Sequence, residues 1–408
     1  MRLLLLCQHF YPDMVSTGLH MTELTTKWKE LYPEVEISIF TAENSRNQVS
    51  HNFKKHEIYQ GVNIYRVKNI GRQHGNLLSR FIFSFTFILK SFFFLLYKKR
   101  DYDILIITTN PPFLGLLILA LNSYFKVPYV VIAYDIYPQI LDKMGILKKN
   151  TVLYKFWKWL NVKVYNNASK IISIGTDMST VIENEMNIFD SSKIELIYNW
   201  SDKNKVFPVE RANNNFLIQN RFENKKILLY SGTLGSTHNI EEILIAADEL
   251  KLETDILFLF IGSGSKVKLV KDYISISGNS NVILMPFQPI EIISQTLSSA
   301  TLSFVCLEGS FTGLSVPSKS YGILAAKVPI IGMMDDNAEI SKMIEEYQCG
   351  VVWNRTKSIK LSSLIYDLIS NNDLLNKMSE NAYITFLNNF NIDTSVKKYN
   401  NALKSILN

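Results

Sequence analysis

Short, nearly unbroken apolar runs recur along this chain, separated by amphipathic patterns, and that alternation constrains the fold more than any other feature. In the first half the runs lie at 3–7, 36–40, 62–67, 104–108, 129–133, 171–174 and 194–198. Each has the length of a strand. Continuous apolarity fits parallel strands covered on both faces. Helical patterns fill the intervals at 18–31, 78–97, 114–124, 152–164 and 177–185. The polar stretch 204–226, with Pro208 and Asn213-Asn214-Asn215, then interrupts the pattern and marks a boundary. The alternation restarts with strands at 227–230, 256–261, 282–285, 302–306, 330–333 and 351–353. Helices are expected at 240–251, 267–276, 290–297, 318–326, 338–346 and 359–369. Two last helical patterns, 374–387 and 394–407, have no strand between them. The chain of 408 residues therefore reads as α/β, with two doubly wound domains facing a central cleft. The expected domains are 1–204 and 205–388, with 389–408 as a closing helix.

Composition removes several function classes. With 47% apolar and 20% charged residues the chain is neither disordered nor a low-complexity scaffold. Cys7, Cys306 and Cys349 lie far apart and form no disulfide framework or metal-binding pair, which suits a reducing compartment. No HExxH occurs, and no metal site is expected. The net charge of +6 is too small to argue for nucleic acid. Met1 to Cys7 is apolar, but Gln8-His9 follow without a small-residue cleavage site, so it reads as a strand and not as a leader. The segment 81–97 approaches membrane-spanning length. Arg80 and Lys98-Lys99-Arg100 flank it, and Lys90 interrupts it. That pattern suits a helix lying in an anionic membrane surface, or a buried helix with Lys90 reaching outward. Residues 113–125 are too few to span and read as a core helix.

Ligands of doubly wound sheets bind beyond the carboxyl ends of the strands, so the loops there are the candidate sites. After the first strand, Ser16, Thr17 and Gly18 precede a helix whose free amides suit a phosphate, although an ordinary N-cap has the same sequence. The dinucleotide fingerprint GxGxxG is absent there. In the second half, Gly232, Gly235, Ser236 and His238 follow one strand, and Gly262 opens Gly262-Ser263-Gly264-Ser265 after the next. Such turns are anion-friendly. Pro317 and Ser318 are helix-start residues. Lys319 in the first turn opposes the helix dipole unless an anion compensates. Asp135 ends a strand and can meet substrate hydroxyls, act as a base, or form an Asx-turn before Pro138. Glu308 is either a sugar-hydroxyl acceptor or a surface carboxylate.

At these residues the chain resembles the family-4 glycosyltransferases of the GT-B fold, nearly end to end. The carriers are Tyr11-Pro12 with Thr17-Gly18, Tyr134-Asp135-Ile136-Tyr137-Pro138, Tyr198-Asn199-Trp200-Ser201-Asp202, Tyr230-Ser231-Gly232-Thr233-Leu234-Gly235 and Ile261-Gly262-Ser263-Gly264. The most specific is Pro317-Ser318-Lys319-Ser320-Tyr321, continuing to Ala325-Ala326. It is similar to the fucosamine transferases of bacterial O-antigen, capsule and colanic-acid clusters. The resemblance implies two Rossmann-like domains and a retaining, metal-independent transfer with no cofactor beyond the nucleotide-sugar. It implies a UDP-sugar, such as an N-acetylated fucosamine donor, held by the second domain. The implied acceptor is a saccharide on undecaprenyl diphosphate, and the implied location is cytoplasmic, peripheral on the inner face of the plasma membrane. Asp135, Glu308 and Lys319 would be catalytic, and Tyr321 would join the loop residues in binding substrate. The family's Glu-x7-Glu pair is replaced: Thr312 and Gly322 stand at those positions, and Tyr134 stands where many members have His. A nucleotide-sugar epimerase of the same fold and a non-catalytic partner of a polysaccharide assembly are the alternatives.

Overall fold

A computed structural model describes all residues except 13–15, 44–53, 71–76, 99–100 and 408; the side chains of 16, 77–78 and 122–125 are also undescribed. Lys99 and Arg100 of the basic flank thus lie outside the described residues, as does the side chain of Ser16. The chain divides into two units. Unit 1 is Met1–Tyr198 with Ile392–Asn408, and unit 2 is Asn199–Asn391.

Unit 1 holds eight strands: β1 (Arg2–Leu6), β2 (Glu36–Ala42), β3 (His56–Tyr59), β4 (Val62–Val67), β5 (Ile104–Thr108), β6 (Tyr129–Ala133), β7 (Lys170–Ser173) and β8 (Ile194–Leu196). Their order is β3-β4-β2-β1-β5-β6-β7-β8. All pairs are parallel except β3 with β4. The apolar runs are continuous because both faces are covered: every residue of β5 and β6 is buried. β1 lies between β2 and β5, with Leu3 beside both Ile37 and Ile104. The winding reverses there, which opens a crevice beyond its carboxyl end.

The sequence reading did not include β3. It is four residues long, alternates between exposed and half-buried, and joins β4 through Gln60 and Gly61. Both turn residues have positive φ, 47° and 78°, as a two-residue hairpin turn requires. Four residues are too few for a periodic signal.

Helix Leu77–Lys98 presses Phe83, Phe87, Ser91 and Leu95 into unit 1, a stripe spaced by four. Its other side leaves Phe81, Phe85, Leu89, Phe93, Leu96 and Tyr97 exposed. Lys90 does not interrupt that outer face, because its Nζ bonds the Lys68 carbonyl. By length and composition Ser79–Lys98 could cross a membrane. Helix Leu114–Phe125 buries Leu114, Leu117, Ile118 and Leu121 and is a core helix. Helix Ile392–Leu407 packs on helix Ser16–Leu31, where Trp28 donates from its indole nitrogen to Asn400 Oδ1 at 3.2 Å.

Unit 2 holds β9 (Lys226–Ser231), β10 (Ile256–Ile261), β11 (Val282–Met285), β12 (Leu302–Cys306), β13 (Ile330–Met333) and β14 (Gly350–Trp353). The order is β11-β10-β9-β12-β13-β14, all parallel. Here the reversal falls between β9 and β12. The polar stretch 204–226 folds inside this unit, after the division at Tyr198. Asn214 caps a short helix, Asn215–Asn220, by accepting from the amides of Phe216 and Leu217. Its own amide nitrogen donates to the Gln295 carbonyl at 2.8 Å. The expected helix 290–297 is instead a 3₁₀ turn, Ile290–Ile292, followed by the helix Ile293–Ser298. The three cysteines are free and buried.

Candidate functional site

Three loops of unit 2 meet beyond the carboxyl ends of β9, β10 and β12. Lys319 starts the helix Lys319–Ala325. Its stem is partly exposed, but its Nζ is buried and has no hydrogen-bond partner among the described residues. The ammonium sits 3.8 Å over the centroid of the Tyr230 ring. Gly232 leaves room beside it, since a methyl group there would lie 3.7 Å from Nζ. Burial holds the Lys319 pKa down at about 8, only partly opposed by the nearby Cys306 thiol. A ring face compensates a buried cation far less than a hydrogen-bonded anion would. The ammonium is therefore left without a hydrogen-bonded counter-charge among the described residues.

Backbone contacts hold the loops around this cation. The Gly232 amide donates to the Ile261 carbonyl at 2.9 Å, and the Leu234 amide to the Ser263 carbonyl at 2.9 Å. The Lys266 amide returns a bond to the Leu234 carbonyl at 2.9 Å. Gly262 is where the two loops approach most closely: a Cβ would stand 1.8 Å from the Gly232 oxygen. Gly262 thus serves loop packing.

His238 accepts from the Gly235 amide through Nδ1 at 3.1 Å, which leaves its single proton on Nε2. Burial, then the charges of Lys319 and Lys266, push its pKa down to about 3. It stays neutral wherever the protein is handled. The unfolded chain takes up a proton at His238 below its ordinary 6.5, and the folded chain does not until about pH 3. Its contribution to stability is therefore present above 6.5 and lost as the pH falls through that window, by about 1.4 kcal/mol per unit. In His238→Asn, which keeps an acceptor for Gly235, urea unfolding between about pH 4 and 6 is expected to lose that share of its pH slope. An unchanged slope would show that another group carries it.

The other candidate residues are distributed as follows. Ser236 is exposed. Glu308 is exposed, and its amide donates to the Thr237 carbonyl at 3.0 Å. The Pro317 carbonyl accepts from the Ser320 hydroxyl at 2.7 Å, and Ser318 makes no side-chain cap. Tyr321, expected to join in binding substrate, is fully buried, with its ring centroid 4.9 Å from that of Phe390. Thr312 has a buried hydroxyl with no partner among the described residues. Thr17, Gly18 and Asp135 belong to unit 1. Ser16, Thr17 and Gly18 form the first turn of helix Ser16–Leu31, and the Gly18 carbonyl accepts from Thr22. Asp135 follows β6, where Thr109 Oγ1 accepts from its amide and from that of Tyr134.

Residues 212–385 match the family described as "Glycosyl transferases group 1". Unit 2 thus carries a region similar to the group 1 glycosyltransferases. The chain is 30% identical over 257 residues to WbjE of Pseudomonas aeruginosa, described as a probable glycosyltransferase; the match spans 63% of each chain, less than two thirds of that relative's length. Over 125 residues it is 26% identical to WcaI of Escherichia coli, described as a "Putative colanic acid biosynthesis glycosyl transferase"; that match spans 31% of this chain and 30% of WcaI. The fold is that of Anabaena HepE, solved with UDP-glucose, with a TM-score of 0.73, 14% identity, and coverage of 99% of this chain and 100% of that one. The GT-B architecture expected from the sequence is thus present.

The parts played here by two side chains of this unit escaped sequence reasoning. Tyr230 supplies the ring beneath Lys319. Lys266 ties His238 in place by donating to its carbonyl at 2.7 Å while pairing with Glu241 at 2.7 Å. Tyr230 read as the end of a strand and the first residue of a resemblance motif, with no role of its own. Lys266 could have been noticed as a basic residue directly after Gly262-Ser263-Gly264-Ser265.

Proposed function

We propose that the chain is a retaining glycosyltransferase that moves a sugar from a UDP-sugar to a lipid-linked saccharide, without a metal ion. The observation that carries this is the buried ammonium of Lys319, without a hydrogen-bond partner among the described residues and with glycine-lined loops around it. When the C1–oxygen bond of the donor breaks, charge builds on the diphosphate. Lys319 stabilises that charge. The acceptor hydroxyl oxygen bonds to C1 on the face the diphosphate leaves. Its proton passes to the departing phosphate oxygen. In unit 2, Glu308 and the Thr312 hydroxyl, which has no partner among the described residues, are assigned to sugar hydroxyls. Front-face attack needs no enzyme nucleophile.

The sugar is assigned as N-acetyl-fucosamine or a related deoxy-amino hexose from the Pro317-Ser318-Lys319 sequence, and WcaI's name in colanic acid biosynthesis favours a polysaccharide product. A saccharide on undecaprenyl diphosphate fits the exposed apolar side of helix Leu77–Lys98, which we assign to the inner face of the plasma membrane. Thermal melting with UDP, GDP, ADP and UDP-sugars tests the donor. UDP at a hundredfold over its dissociation constant stabilises by about 2.7 kcal/mol. A UDP-selective shift without added metal is expected, increased by a UDP-amino sugar. The absence of any nucleotide shift would overturn the reading.

A further inference from the structure

Unit 1 exposes a second apolar surface that the reading above does not use. Helix Val152–Asn167 buries Tyr154, Trp157, Leu160, Val164 and Tyr165. An ordinary surface helix carries polar residues opposite its buried stripe. This one carries Val152, Leu153, Phe156 and Trp159, exposed by 85%, 54%, 52% and 51%. The rings of Phe156 and Trp159 stack at 5.9 Å. Met144 and Ile146, in the turn ahead of the helix, are exposed too. Lysines surround these side chains: Lys143, Lys148, Lys149, Lys155 and Lys163 are all exposed. Lys163 Nζ lies 4.0 Å over the Trp159 ring.

Contiguous exposed apolar groups of this kind mark an interaction surface. Aromatic and aliphatic side chains ringed by lysines are the composition of a segment seated at a lipid interface, where rings enter the acyl boundary and ammonium groups reach the phosphates. Helix Leu114–Phe125 packs against both Leu77–Lys98 and Val152–Asn167. The two apolar surfaces therefore lie on the same side of the eight-stranded sheet.

We propose that residues 143–163 form a second docking segment for an anionic bilayer, so that unit 1 is held on lipid at two places. The bilayer as partner follows from the membrane reading of helix Leu77–Lys98, and the experiment separates the two. Because Cys7, Cys306 and Cys349 are buried, a surface cysteine can be labelled selectively in the full chain. Phe156→Cys and Phe85→Cys, each carrying a polarity-sensitive fluorophore, are titrated with phosphatidylglycerol and with phosphatidylcholine vesicles. Blue shifts of both labels, that at 156 on phosphatidylglycerol only, are the expected result. If the label at 85 shifts and that at 156 does not, this inference fails while the first membrane contact stands. If only the label at 156 shifts, residues 143–163 dock on lipid but unit 1 is not held at two places, and the inference as stated fails. If neither shifts, both fail. Neutralising Lys148, Lys149 and Lys155 to Gln is expected to weaken partitioning roughly a hundredfold, at about fivefold per lysine. Unchanged partitioning would overturn the electrostatic part.

Discussion

Lys319→Met is expected to stabilise the ligand-free protein while abolishing its response to UDP. In the folded chain Lys319 binds its proton only up to about pH 8, against 10.5 when unfolded. Below pH 8 the buried charge is a liability, and methionine fills the same space without it. The gain is about 2 kcal/mol once the lost attraction to Tyr230 is subtracted. The melting temperature should rise by a few degrees. The sign of the pH dependence follows. Between about pH 8 and 10.5 the unfolded chain holds more protons at this site than the folded one, so the stability of the native sequence rises with pH there. That rise should vanish in the variant. UDP melts should show no shift in Lys319→Met, and the native affinity for UDP should fall above about pH 8 as the ammonium deprotonates. A variant that melts lower and still binds UDP would remove Lys319 from the diphosphate site.

Gly262→Ala carries the second large effect. Its φ of 152° and the 1.8 Å approach to the Gly232 oxygen leave no place for a methyl group. The loops after β9 and β10 must separate, at a cost of roughly 3–4 kcal/mol. Gly350→Ala is the matched control. There a Cβ would stand 2.0 Å from the Ile330 oxygen, at the β13–β14 edge and away from the three loops. Both variants should lower the urea midpoint of unit 2. Only Gly262→Ala should also weaken UDP binding under conditions where the unit is still folded. Equal losses of UDP affinity would mean that the glycine-lined loops have no special part in holding the nucleotide.

The fold was legible because parallel strands buried on two faces write themselves as continuous apolar runs. Ile256–Ile261 and Ile104–Thr108 were read at their observed bounds for that reason. His56–Tyr59 was missed because an edge strand of four residues has no such signature. The loops of the site were legible from glycines and helix starts placed after strands. Their individual roles were not. Nothing local distinguishes Gly262, which spaces two loops, from Gly232, which leaves room beside Lys319. Tyr321 sits in the same short motif as Lys319, yet two residues, about half a turn of helix, point it into the core against Phe390. Tyr230 reads as strand filling until the fold places its ring under a cation contributed from 89 positions further along the chain, at 319.

Unit 2 is continuous in sequence, whereas unit 1 is assembled from Met1–Tyr198 and Ile392–Asn408. On the ribosome this imposes an order. Unit 2 can complete its six-stranded sheet as soon as its own residues have emerged. Unit 1, although translated first, waits with Trp28 uncovered until the helix Ile392–Leu407 has been made. During that interval the exposed groove on helix Ser16–Leu31 is a place where a nascent chain would need protection. The half of the molecule made earliest is thus the half that matures last.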